Sequence, residues 1–400
     1  LADGEIEITN NYLFTNLSNY QLNWTVTRNG EVVESGETDV ALAPGDKKAM
    51  TLDYTFPMAV NQMDEYIVNV SFSEKQDRLW CKAGHEIAFS QFILPTKAPR
   101  LREKTIDTGA VSVEVKQNQL VVSGDGFTVG FDKDSGRLSS YQVDGIELVK
   151  EALTPNFWRA MTDNDRGNGL DVRSRVWREA NDARELIQFD YQVLSDSIEV
   201  TTIFLYETLN HSQVKMNFVI KGTGEVIVDY VLIPGEDLPE IPEIGLMLTM
   251  PKSFDRLSWY GKGPHESYWD KQRSAKIARY EGYVRDQYVP YLKPQECGNK
   301  VGVRKADLVN VDGVGLTIKG LPTVELNALR YTPKELEAAG HGHELPETDH
   351  TVLRINRAQM GVGGDDSWGQ RTHKDFTLFA NRMYSYRFTI GACHLPVFVE

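Results

Sequence analysis

Gln21-Leu22-Asn23-Trp24-Thr25-Val26-Thr27-Arg28-Asn29-Gly30-Glu31-Val32-Val33-Glu34-Ser35-Gly36 is two β-rich runs that meet at Asn-Gly. Leu22, Trp24 and Val26 alternate with polar residues, which sets them on one face of an extended strand. Asn29 and Gly30 both tolerate positive φ, the requirement of a two-residue hairpin turn. The stretch therefore predicts an antiparallel, half-buried sheet.

Outward from this hairpin, further strands are expected at Glu5–Thr9, Tyr12–Phe14, Lys48–Tyr54, Glu65–Phe72 and Glu86–Ile93, with Ala43-Pro44-Gly45-Asp46 as another turn. About ninety residues of such strands fit an immunoglobulin-like β-sandwich. The two prolines of Leu94-Pro95-Thr96-Lys97-Ala98-Pro99-Arg100-Leu101 read as a linker, which sets the domains at 1–97 and 98–400. Beyond it, strands are expected from Val111–Val115 onward, including Ile198–Tyr206, Gln213–Ile220, Glu225–Leu232, Ile244–Met250, Val352–Met360, Asp375–Phe379 and Tyr384–Ile390. No regular βαβ alternation appears, so the second domain reads as a very large β-sandwich. Arg173–Glu185 and Thr332–Ala339 are the helical candidates, the second with Pro333 in its first turn. The fold class is all-β.

The chain has 400 residues, 41% hydrophobic and 25% charged, the balance of a sequence that buries a core. A formal charge of −14 without a dense basic run repels nucleic-acid backbones and anionic membranes. No apolar stretch approaches the roughly 20 residues that span a bilayer. Cys81, Cys297 and Cys393 lie too far apart in sequence for a paired Cys-x-x-Cys site. The opening Leu1-Ala2-Asp3-Gly4 has neither an initiator methionine nor a signal peptide, and reads as a piece cut from something longer, leaving the compartment unassigned.

Four segments carry chemistry-bearing residues. Asp163-Asn164-Asp165-Arg166-Gly167 has the acids of a calcium loop but lacks the ligand, glycine and glutamate expected at Gly167, Asn168 and Ser174. It reads as a turn, with Asp163 and Asp165 accepting backbone hydrogen bonds and a mobile loop beginning at the glycine. His265-Glu266 is tempting as an acid–base pair, yet neighbours on an extended strand face opposite ways. His341, His343, Glu344 and His350 have no helix to align them, and no metal is assigned. In Gly361-Val362-Gly363-Gly364-Asp365-Asp366-Ser367-Trp368, a strand ends in a glycine-rich turn that presents an indole. An exposed indole can stack on the apolar C–H face of a sugar; a core plug is the competing reading of Trp368.

Together these segments resemble the C-terminal part of bacterial β-galactosidases of glycoside hydrolase family 2. Glu7-Ile8-Thr9-Asn10-Asn11-Tyr12-Leu13-Phe14 with Trp24 is similar to the opening of the family's second immunoglobulin-like linker domain. Phe157-Trp158-Arg159-Ala160 with Asp163-Asn164-Asp165, then Gly261-Lys262-Gly263-Pro264-His265-Glu266-Ser267-Tyr268, then the Trp368 segment, match successive motifs of its terminal domain. The resemblance implies a galactose-mutarotase-like supersandwich beside an upstream catalytic (β/α)8 barrel of the same polypeptide. It puts both carboxylates of a retaining glycosidase, and any Mg or Na, in that barrel. No catalytic residue or cofactor is therefore expected in this chain.

What the resemblance carries over is Trp368 as a substrate platform, Gly167 as the start of a pocket loop, and Asp163, Asn164, Asp165 and Arg166 as its anchor. It also implies a galactoside substrate and assembly into homo-oligomers. The alternatives are a stand-alone carbohydrate-binding module built on Trp368, and an aldose mutarotase, which needs a histidine and a carboxylate facing one sugar.

Overall fold

The computed structural model describes residues 4–55, 64–95, 109–366 and 368–396, without the side chain of Asn181. It divides into two compact units, Leu1–Lys104 with Ile277–Arg279, and Thr105–Lys276 with Tyr280–Glu400. The expected boundary after residue 97, and most of the proline-containing linker, lie in 96–108, outside the described residues.

In the first unit four antiparallel strands run in the order Glu31–Asp39, Tyr20–Arg28, Tyr66–Glu74, Glu86–Ile93, while Glu5–Thr9 pairs with Lys47–Thr51. Asn29 and Gly30 have φ of 51° and 84°, and Arg28 opposes Glu31 across the two-residue turn. Leu22, Trp24, Val26, Val68 and Val70 cluster with Ile8 and Leu52 as the core. Gly36 is dictated by packing: a β-carbon there would stand 2.4 Å from the Trp24 ring. Tyr12–Phe14 is not a strand, contrary to its aromatic content. The Asn10 side chain accepts the Tyr12 N–H at 3.0 Å and donates to the Thr15 and Leu42 carbonyls. That local network takes the backbone out of a ladder and leaves Phe14 93% exposed.

The second unit packs a five-stranded meander, Ser112–Lys116 through Ile146–Glu147, on a much larger sheet. Phe131 meets Phe218 edge-on at 5.1 Å across the layers. In the large sheet, Ser197–Tyr206, Ser212–Lys221 and Val226–Ile233 alternate buried and half-buried residues, the mark of strands with one covered face. Glu243–Pro251 and His350–Gln359 are buried almost throughout, as is Glu325–Leu329 within the strand Val314–Leu329. Polar residues on those strands are therefore far from water.

Several expectations for this unit change. Residues 173–185 do not form one helix: Leu170–Arg173 and Arg175–Glu179 are separate turns, and Arg184–Val193 is a strand paired with Ser197–Tyr206. The break is tertiary, because the Ser174 hydroxyl donates to the Glu240 carbonyl at 2.8 Å and the Trp177 indole to that of Pro239 at 3.0 Å. Asp375–Phe379 is not a strand either; Lys374–Phe376 is a 3-10 turn whose Thr377 hydroxyl bonds the His373 carbonyl. Pro333–Ala338 is helical, and Thr332 and Glu335 form its capping box.

Candidate functional site: a cleft and an exposed tryptophan

The site is organised by Arg159, which follows the strand Glu151–Asn156 and is 0% exposed. Its guanidinium holds Asp165 through two bonds, of 2.9 and 3.2 Å, and also donates to the carbonyls of Met360 and Gly361. Burial alone would lower the Arg159 pKa, but the Asp165 charge and hydrogen bonds outweigh it and raise it. Asp165 can face inward because Thr162 starts a helical turn. The Thr162 hydroxyl accepts the Asp165 N–H at 3.1 Å, and the Asp165 carboxylate accepts the Thr162 N–H at 3.0 Å. Thus Asp163–Gly167 is a capped α-helical turn rather than a loop, and the left-handed residue is Gly169, not Gly167. Asn164 donates to the Val362 carbonyl at 3.0 Å, while Asp163 exchanges two 3.0 Å bonds with the amide of Gln295 rather than with backbone. Arg166 donates to the Met161 carbonyl at 2.7 Å.

The chain on the other side of Arg159 presents the indole. The Asp270 carboxylate accepts the N–H groups of Val362 and Gly363 at 3.0 and 2.8 Å. A β-carbon on Gly361 would lie 2.8 Å from the Asp270 carboxyl carbon, so this close approach requires glycine. Further on, Asp366 accepts the N–H groups of Trp368, Gly369 and Gln370, and those bonds hold its carboxyl below the usual range. Trp368 is 85% exposed, so it is not a plug of the sandwich core. A β-carbon on Gly369 would stand 3.5 Å from the Gly167 carbonyl, which makes the indole turn and the 163–167 turn neighbours.

A cleft of about 610 Å³ brings three sequence motifs together: Thr162–Asn164, part of Glu266–Lys271, and Val362–Gly364, the backbone that precedes the indole turn. Tyr291, Gln295, His373 and Phe376 complete its sides. Glu266 and His265 part company, Glu266 lining the cleft while His265 is exposed. Glu266 accepts from Lys271 at 2.7 Å, the Tyr291 hydroxyl at 2.6 Å and the Gly298 N–H at 3.0 Å. Burial alone would raise its pKa, yet these three donors together hold the carboxyl below its ordinary value. Sequence reasoning singled out neither Tyr291 nor Gln295, His373 or Phe376; each stands in a segment with no motif of its own.

The family profile described as "Beta galactosidase small chain" matches residues 123–390, and that described as "Beta-galactosidase, domain 4" matches residues 6–95. The chain belongs to the β-galactosidase small-chain family. It is 43% identical over 389 residues to a β-galactosidase of Priestia megaterium, covering 97% of this chain and 37% of that protein. It is 31% identical over 388 residues to one of Halalkalibacterium halodurans, covering 96% of this chain and 38% of the relative. The small-chain region and domain 4 thus span little more than a third of these relatives. Among solved structures, the chain is similar to galactose 1-epimerase from Lactobacillus acidophilus NCFM, with 9% identity, 71% of this chain and 98% of that one covered, and a TM-score of 0.41.

In this small-chain domain the cleft rests on a buried ionic layer. Arg354 reaches Glu296 through two bonds of 2.7 Å and also donates to Glu243, while Asn327 and Gln359 donate to Glu296. Among the described residues, Glu325 accepts from Asn299 and the Gln359 N–H, each at 3.0 Å, and has no cation in hydrogen-bond reach. Burial, opposed by those two bonds, pushes its carboxyl from 4.5 up to about 8. A folded-state pKa above the unfolded value means that stability is lost as pH rises from about 4.5 toward about 8. Glu325→Gln keeps the acceptor and removes the ionisation. It should be more stable than the parent by roughly 1–3 kcal/mol at pH 8, with no difference at about pH 4. Urea unfolding at both pH values checks this; a destabilised variant at the higher pH refutes it.

Proposed function

We propose that this chain is the C-terminal, non-barrel part of a retaining β-galactosidase, which hydrolyses terminal β-D-galactosides with two carboxylates held in an upstream (β/α)8 barrel. In this reading Trp368 is a wall of the composite substrate pocket, with its indole stacked on the sugar's apolar face. The turn Asp163–Gly167 is the anchor of the neighbouring pocket loop. The observation that carries the reading is the exposed indole on a rigid base. Trp368 is 85% exposed, while its turn is held by Asp366, and the preceding backbone by Asp270 and Arg159. An exposed aromatic on a backbone fixed at this many points loses little entropy when a ligand stacks on it.

Two measurements test it. The purified chain should not hydrolyse a nitrophenyl β-galactoside, because the bond-breaking pair is assigned elsewhere; reproducible hydrolysis refutes the assignment. In the full-length polypeptide, Trp368→Ala should lower kcat/KM roughly 10- to 100-fold, since an aromatic contact contributes on the order of 1–3 kcal/mol. The unfolding midpoint should not move, because the side chain packs against little. Unchanged kinetics would remove the platform from the pocket.

A further inference from the structure

A second cleft, of about 640 Å³, opens where the meander strand Arg137–Val143 meets Glu151–Asn156 and the edge strand Arg184–Val193 of the large sheet, and its lining shares no residue with the first. Its volume falls within the range of about 300–1,000 Å³ in which small-molecule sites lie. Two half-buried arginines line it, Arg137 and Arg184. Among the described residues the Arg137 guanidinium has no carboxylate in ion-pair reach and makes one bond, from Nη1 to the Thr154 hydroxyl at 3.4 Å, longer than the about 2.7–3.2 Å of an ordinary N–H···O bond. Asp132, opposite Arg137 across the ladder, instead accepts the Ser135 N–H at 2.6 Å. Arg184 brings a second positive charge into the same space: burial, and then the charge of Arg137, lower its pKa, and the Tyr206 phenol and Asp182 offset only part of that. Two guanidiniums that share a half-buried cleft repel each other, and an anion between them removes the cost.

Shape and surrounding charge set the ligand class. The planar fork of a guanidinium matches a carboxylate, and the two oxygens of one carboxylate can take both arginines. Asp134, Glu151 and Asp182 also line the cleft, all three exposed, so a phosphate dianion or a polyanion meets a repulsion that a single negative charge meets least. Leu186 and Met247, half-buried, add apolar wall beside the charges. A bare inorganic ion would leave that wall and most of the volume unfilled, whereas an apolar body attached to the carboxylate removes it from water.

We infer that the cleft lined by Arg137 and Arg184 is a binding site for a small organic monocarboxylate, its carboxylate held between the two guanidiniums and its apolar body on Leu186 and Met247. The site shares no residue with the Trp368 turn and needs no upstream barrel, so its failure leaves the galactosidase reading intact.

Calorimetric titration of this chain at low ionic strength with benzoate, acetate, benzamide and inorganic phosphate tests the site. Benzoate should bind with a Kd on the order of millimolar, and acetate at least about fivefold more weakly for want of an apolar body. Benzamide, which keeps the shape and loses the charge, should not bind saturably, and neither should phosphate. Arg137→Met and Arg184→Met should each weaken benzoate about tenfold or more. Arg137→Lys should weaken it less, because the charge stays and the fork is lost, while Trp368→Ala should leave it unchanged. Should an arginine variant fail to fold, NMR of the parent chain carries the test, with benzoate-dependent shifts expected at the Ala152 and Leu186 amides. Absence of saturable benzoate binding, or of those shifts, up to roughly 50 mM overturns the site. Equal binding of benzamide shows that the guanidiniums are not read and also overturns it. Equal binding of phosphate overturns the ligand class. Binding that survives both arginine-to-methionine variants but not Trp368→Ala moves the ligand to the platform and overturns the cleft.

Discussion

Arg354→Met should cost this chain about 3–5 kcal/mol at pH 8, the loss expected when one partner of a buried ion pair is removed. Arg354 is 2% exposed and bridges two buried carboxylates at once, Glu243 on the strand Glu243–Pro251 and Glu296 in the segment that precedes the strand Lys300–Val309. Methionine fills the volume of the stem but leaves both acids facing each other without a cation. Burial already lifts the Glu243 carboxyl to about 7 against the opposing charge of Arg354, and removal of that charge pushes it higher still, so Glu243 stays protonated rather than carry an unpaired charge. A raised folded-state pKa costs stability as pH climbs above the unfolded value. The deficit should therefore be small near about pH 4.5 and grow toward pH 8. Denaturant unfolding at the two pH values reads it directly. Adding Glu243→Gln and Glu296→Gln to Arg354→Met should restore most of the loss at the higher pH, because no buried charge remains. A deficit that is the same at both pH values, or one under about 1 kcal/mol, would mean that the pair is not the ionised bridge its geometry describes.

Much of the fold was legible in the sequence where one face of a strand meets water. Val200, Thr202, Phe204 and Tyr206 alternate with more exposed positions, and so do Val214, Met216, Phe218 and Ile220; each set lies buried as its pattern requires. The reading failed where tertiary partners decide. Glu151–Asn156 carries Pro155 and a register shift, and Arg256–Gly263 ends in glycines, so neither shows a strand pattern although both sit in the large sheet. Tyr12–Phe14 has the right composition and the wrong neighbour, Asn10. The candidate site divides in the same way. Trp368 and its Asp366 turn are local, confined to a few residues, and could be read as an aromatic presented on a loop. The cleft is not local: Glu266, Tyr291 with Gln295, and His373 come from three separate segments, and nothing in any one of them announces the others. Arg159 is the extreme case, since its carbonyl partners Met360 and Gly361 lie 201 and 202 residues away.

That separation is what makes Arg159 informative. Arg159→Met should cost about 3–5 kcal/mol, and it should loosen the turn that carries Trp368 before the rest of the sandwich unfolds. Three groups lose the guanidinium together: the Asp165 carboxylate, 1% exposed, and the carbonyls of Met360 and Gly361. Asp165 still caps the 163–167 turn through Thr162, so its local structure survives. The base of the 360–370 segment keeps the Asp270, Asn164 and Thr372 bonds and the backbone bonds from the Met360 and Gly361 N–H groups to the Pro242 and Phe376 carbonyls, but loses the guanidinium that ties Met360 and Gly361 to the 163–167 turn. Limited proteolysis should therefore cut between Met360 and Gln370 faster in the variant than in the parent, below the temperature at which either unfolds. Arg159→Lys should rescue little, because an ammonium cannot hold both Asp165 oxygens and two carbonyls in one plane. Arg159→Met with Asp165→Asn should recover part of the midpoint, since the stranded charge is gone, but not the resistance to cleavage, since the guanidinium that joins the Met360 and Gly361 carbonyls to the 163–167 turn is still missing. That split between a recovered midpoint and an unrecovered loop distinguishes a strut under the indole from a generic buried ion pair. Equal recovery of both would show that Asp165 alone, and not the bridge to Met360 and Gly361, holds the platform in place.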